Sequence, residues 1–156
     1  MDIIEAVERK RKHMSVLSLL SIRAGLVVSA SLVAYFFIMK AAGLYHYMIL
    51  RAFNSVFLGG GILIALGRYS KMLNRKLDYF IGMRIGVLIT LIAVIPFSIF
   101  CGIYLALDTD FMNYIILNHE FGSYLSPIAA AIGVGAEGLA SGFIITYIAM
   151  PFFKRQ

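Results

Sequence analysis

The chain has 156 residues, 61% of them hydrophobic and 14% charged, with a formal net charge of +6. A soluble domain of this length cannot bury so much apolar surface, so an ordinary globular domain is excluded and lipid becomes the expected solvent for the apolar faces. The basic residues flank apolar segments and form no aromatic-interleaved reader motif, which excludes nucleic acid as the expected partner and points to membrane orientation instead.

In chain order, residues 1–21 read as a cytoplasmic amphipathic N-terminal segment. Ile3, Val7, Met14 and Leu17 fall near one helical face, with Glu8, Arg9 and Lys12 elsewhere. Asp2, Glu5 and Glu8, followed by a long apolar run, argue against a cleavable signal peptide. Residues 22–156 read as a four-helix transmembrane domain, with spans over about 22–43, 49–68, 79–107 and 125–152. Each is close to the roughly 20 residues that cross a hydrocarbon core of about 30 Å. Arg23 interrupts the first span, and Arg84 lies in the first turns of the third. The second is the shortest, with 16 uncharged residues between Arg51 and Arg68, whose side chains are expected to reach opposite interfaces. Between the third and fourth spans, Phe111 to Leu117 predicts a short interfacial helix, with Asp108, Thr109 and Asp110 capping its start.

Charge sets the expected orientation. Arg9, Lys10, Arg11, Lys12 and Arg23 precede or open the first span, Arg68, Lys71, Arg75, Lys76 and Arg84 surround the second connection, and Lys154 and Arg155 close the chain. Only Lys40 and Arg51 of the 14 basic residues fall on the other side, and the third connection carries Asp108, Asp110 and Glu120 with no Lys or Arg. The positive-inside rule therefore places both termini in the cytoplasm. Short first and second connections favour antiparallel neighbours. The expected fold is an all-α membrane protein, an up-down bundle of four transmembrane helices. No internal repeat is evident. Tyr45, Tyr47, Tyr114 and Tyr124 suit an aromatic belt at the outer flank.

Glu137 is the leading candidate site, because an ionisable group inside a span is expensive unless neutral or paired. On a helix, Gly133, Glu137 and Ser141 share a stripe, and Gly138 and Gly142 form a small-residue pair beside it that lets another helix come close. Ser141, Asn54, Arg51 and Arg84 complete the candidate intramembrane polar site. One reading makes Glu137 a neutral or bonded packing residue. Another makes it a proton- or cation-binding group in a polar cavity, and a third makes it a contact for a partner protein. Gly59, Gly60, Gly61, Gly133, Gly138 and Gly142 are the expected helix-packing residues. Gly59 to Gly61 could alternatively break the helix and expose backbone, and Pro96 reads first as a kink. His13, His46 and His119 are scattered without metal-ligand spacing, Cys101 has no Cys or His neighbour, and no nucleophile–base order or phosphate loop occurs. No catalytic residue, cofactor or metal is expected.

Arg23-Ala24-Gly25-Leu26, Leu50-Arg51-Ala52-Phe53-Asn54, Asp78-Tyr79-Phe80-Ile81-Gly82 and Glu137-Gly138-Leu139-Ala140-Ser141-Gly142-Phe143 together resemble a bacterial family of small four-span membrane proteins classed as a domain of unknown function. The resemblance runs from about Arg23 to Phe153. It implies a four-helix protein of the bacterial cytoplasmic membrane and carries no activity with it. The expected function is that of a non-enzymatic accessory, assembly or interaction subunit. Its partners would be membrane lipid and either a second copy or a partner membrane protein. The alternative is a small proton- or cation-coupled transporter using Glu137.

Overall fold

A computed structural model describes residues 3–43, 53–73, 78–118 and 122–154. Among them are five α-helices and no strand: α1 (Ile3–Ala41), α2 (Phe53–Leu73), α3 (Tyr79–Leu107), α4 (Thr109–Asn118) and α5 (Pro127–Lys154), with a short 3₁₀ turn at Gly122–Tyr124 before α5. The amphipathic N-terminal segment and the first span share one uninterrupted helix, since no break separates residues 3–21 from the rest of α1. α1 stops at Gly43, whose φ of 67° is the left-handed conformation that glycine adopts without a Cβ penalty. The Ala42 and Gly43 amides return to the carbonyls of Ile38 and Lys40. The short helix expected over Phe111 to Leu117 is α4, which starts two residues earlier and ends one residue later.

Leu17–Ala41, Tyr79–Leu107 and Pro127–Phe153 are long and apolar enough to cross a membrane, which suggests a multi-pass membrane protein. α2 is also long, at 21 residues, but Asn54, Ser55, three consecutive glycines, Arg68 and Lys71 dilute its apolar character.

α3 is the centre of the molecule. Within the most apolar stretch of each long helix, 44% of residues are buried in α3, 22% in α1 and 6% in α5. Ile85, Ile89, Ala93 and Phe97 recur every four residues along its core stripe, and Leu58, Ile62, Leu66 and Tyr69 form the facing stripe of α2. The most extensive contacts are α3 with α5 and α3 with α1. α2 fills the side between α1 and α5 and touches α3 less, so α1 and α5 occupy opposite corners.

The sequence neighbours α1–α2 and α2–α3 are in contact, as short connections favour, and a more extensive α1–α3 contact is added to them. Gly25 of α1 lies against Ile92 of α3, and Lys40 of α1 pairs with Asp108 just beyond the end of α3, so these two helices run parallel. Gly59 and Gly67 of α2 lie against Ile145 and Phe153 of α5, a second parallel pair. The physical reason lies in the glycines. A Cβ at Gly25 would come within 2.7 Å of Ile92, so α1 approaches α3 through a gap that a larger residue would close. α2 remains helical through Gly59, Gly60 and Gly61, and α3 remains helical through Pro96, which is exposed on its outer face.

Candidate functional site

α5 begins with local signals that fix its phase. Ser126 Oγ accepts the Ala129 amide at 3.1 Å, three residues on, and Pro127 occupies the first helical position, where its missing N–H costs nothing. From there every third or fourth residue on the inner face is small. A Cβ at Gly135 would meet Ser98 Oγ at 3.0 Å, and one at Gly138 would meet Val94 at 2.8 Å. The Ser98 hydroxyl donates to the Ala131 carbonyl across the same seam.

Deeper in the seam the two helices contact each other reciprocally. Gly142 of α5 sits under Thr90 of α3, and Gly86 of α3 sits under Thr146 of α5. Each threonine is buried and donates to the carbonyl of the glycine four residues before it, Thr90 to Gly86 at 2.8 Å and Thr146 to Gly142 at 2.7 Å. Both hydroxyls are satisfied within their own helix, so only their methyl groups and Oγ edges fill the facing glycine gaps. Sequence reasoning singled out Gly142 but missed Gly86. The signal was present as Gly-x-x-x-Thr at Gly86–Thr90 and again at Gly142–Thr146.

The opposite face of α5 is different. Ala129, Gly133, Ala136, Glu137 and Ala140 are all exposed, and nothing lies within 4 Å of the Cβ position at Gly133. Because Gly138 packs on Val94, roughly halfway along α3, Glu137 stands near mid-depth of the bundle. Its carboxyl belongs to the outside of the bundle rather than to the space enclosed by the four long helices. Ser141, one turn further on, is half-buried and donates to the Gly138 carbonyl at 3.1 Å.

The other sequence candidates are distributed rather than gathered. Asn54 is half-buried near the start of α2, and Arg51 lies outside the described residues. Arg84 is exposed on α3, ten residues from Val94 and hence roughly 15 Å along the axis from the Glu137 level. Among the packing glycines, Gly61 lies hard against Val28, Gly59 touches Ile145 at 3.4 Å and Gly60 has open space. No family model, curated protein or solved structure matches the chain.

A second polar cluster closes the end of α3. Asp108 Oδ1 accepts the Phe111 amide at 3.0 Å, Oδ2 accepts the Tyr104 hydroxyl at 2.9 Å, and Lys40 Nζ donates to that same Oδ2. The ammonium also stands 4.5 Å from the Tyr104 ring centroid and 5.9 Å from that of Phe111. Phe36 packs edge-on against both Tyr104 and Phe100, and the Phe100 ring lies tilted beside Tyr104. The Lys40 hydrogen bond, followed by the Phe111 amide, holds the Asp108 carboxyl below its ordinary value, outweighing the opposite effect of burial. Asp108 was visible in sequence as a cap, but Lys40, 68 residues away, was not visible as its counter-ion.

Proposed function

We propose that this protein is a non-enzymatic interaction or assembly subunit of the bacterial inner membrane, docking a membrane-spanning partner on the outer face of α5. The observation that carries the reading is Glu137, exposed near mid-depth on that face among Ala129, Gly133, Ala136 and Ala140. A carboxylate has about four lone-pair sites, so even one bonded within its own chain keeps acceptor capacity at its surface. Acyl chains offer nothing to it, and an ionised group presented to them costs several kcal/mol. The small neighbours would let a partner backbone approach and cover it. The same proposal takes α2 as the fourth span, because α2 lies along α1 and α5 within the same bundle thickness. It places both termini in the cytoplasm, following the basic flanks and the resemblance to four-span bacterial proteins.

The carrier reading requires water to reach Glu137 from a cavity between the helices. The position of Glu137 outside the bundle gives that reading no support.

Photo-crosslinking residues placed singly at Gly133, Ala136 and Ala140 test docking in native membranes. Protein adducts are expected at all three. Adducts to lipid alone would overturn the proposal. Glu137→Gln is expected to leave helix content and Tm unchanged, because the residue lies outside the core.

A further inference from the structure

Three charged side chains inside the apolar spans are exposed: Arg23 on α1, Arg84 in the first turns of α3, roughly 15 Å along the axis from the Glu137 level, and Glu137 on α5. Arg23 pairs with no acid among the described residues. The three long apolar spans contain a single acidic residue, Glu137. Within one chain Arg23 and Glu137 cannot meet, because α1 and α5 occupy opposite corners with α2 and α3 between them. A second copy brings them together. We infer that the chain self-associates head to tail, with the outer face of α1 in one copy against the outer face of α5 in the next, and Arg23 engaging Glu137. This rests on the docking reading of α5 and names the occupant.

Register supports the pairing. Gly25 marks the Ile92 level of α3, which puts Arg23 near the Thr90 level, while Gly138 at Val94 puts Glu137 near Ile95. The axial gap is about five residues, roughly 7 Å, which the long arginine stem can bridge toward the carboxylate. A guanidinium and a carboxylate form paired, charge-assisted hydrogen bonds, which a low-dielectric setting strengthens. Further along, the two faces carry small residues at matching depth. Arg23, Ala30 and Ala34 share one exposed stripe of α1, as Ala129, Gly133, Ala136 and Ala140 do on α5. α1 and α5 run in opposite directions, so Ala30 falls near the level of Ala136, and Ala34 near that of Gly133. Facing small residues allow the backbones to approach. Because the two faces differ, the contact is heterologous and builds a ring or a row rather than a two-fold pair.

Cysteine crosslinking in native membranes tests the geometry in a Cys101→Ala background. The double variant Ala34→Cys with Gly133→Cys is expected to give a ladder of dimers and higher species on oxidation, and either single cysteine alone is expected to give none. Dimers from Gly133→Cys alone would overturn the head-to-tail arrangement. A photo-adduct at Gly133 to a different protein, with no ladder, would overturn self-association and leave the docking reading standing. Lipid adducts alone would overturn both. Arg23→Gln and Glu137→Gln should each lower the ladder yield about tenfold, the effect of losing one charge partner. Arg23→Glu and Glu137→Arg should each abolish the ladder alone and restore it when co-expressed, since the mixed contacts are again opposite in sign. Failure of the mixture to crosslink, with both variants folded by circular dichroism, would overturn the ion pair.

Discussion

Asp108 ends one helix and begins another. Its backbone amide returns to the Tyr104 carbonyl at the close of α3, and its carboxylate caps the third residue of α4 while holding Lys40. The two functions respond differently to substitution. Asparagine is as good an N-cap as aspartate but carries no charge, so Asp108→Asn should lower Tm less than Asp108→Ala, which loses cap and ion pair together. The charge contribution also has a defined pH window. The folded carboxyl titrates below its ordinary value of 3.8, so its stabilisation is present above that value and lost as pH falls through the lower, folded one. A Tm-versus-pH series should therefore show wild type and Asp108→Asn converging below about pH 4 and diverging above it. Parallel curves throughout would contradict the assigned ion pair. At this scale the sequence was legible wherever partners are local. The Asp108 cap follows from residues three apart, whereas Lys40 and the aromatic ring contacts depend on α1 lying beside α3.

Element packing turns on which glycines face a neighbour. The run Gly59-Gly60-Gly61 looks uniform in sequence, yet only Gly61 has a side chain pressed against it, that of Val28. Gly61→Ala should destabilise by about 1–3 kcal/mol through overpacking. Gly60→Ala should be neutral or stabilising by up to about 1 kcal/mol, since alanine favours helix and meets nothing. The α3–α5 seam makes the same distinction: Gly142→Ala meets Thr90, and Gly133→Ala meets open space. Thermal unfolding of the four variants in detergent, under conditions where the chain is monomeric, checks the ordering. Equal Tm values for Gly60→Ala and Gly61→Ala would contradict the packing. Helix existence was legible from apolar run length, and the predicted third span, 79–107, coincides with α3. The azimuth of each helix was not. Gly133 and Gly138 are five residues apart and face opposite ways, and only the placement of α3 decides which one is covered.

For the whole molecule, the prediction concerns sidedness. Twelve of the 14 basic residues lie on one expected side. Alkaline-phosphatase fusions should thus be inactive at Gln156 and at Met72, and active at Asn113. Activity at Gln156 would reverse the orientation, and activity at Met72 would remove α2 from the set of spans. The number of long helices could be read from composition, but their arrangement around α3 could not, because short connections permit more than one adjacency. Glycine gaps at Gly25, Gly86 and Gly142 select the adjacency with α3 at the centre.

The uninterrupted course of α1 has a mechanical consequence. A helix of 39 residues is roughly 58 Å long, nearly twice the thickness of a hydrocarbon core of about 30 Å. Leu17 opens its apolar stretch, so the turns from Ile3 onward continue the same helix beyond that stretch, with Arg9 to Lys12 roughly 8–12 Å along the axis from its start. A single residue inserted ahead of Leu17 would rotate those turns by about 100° relative to the bundle, because a continuous helix has no loop in which to absorb it.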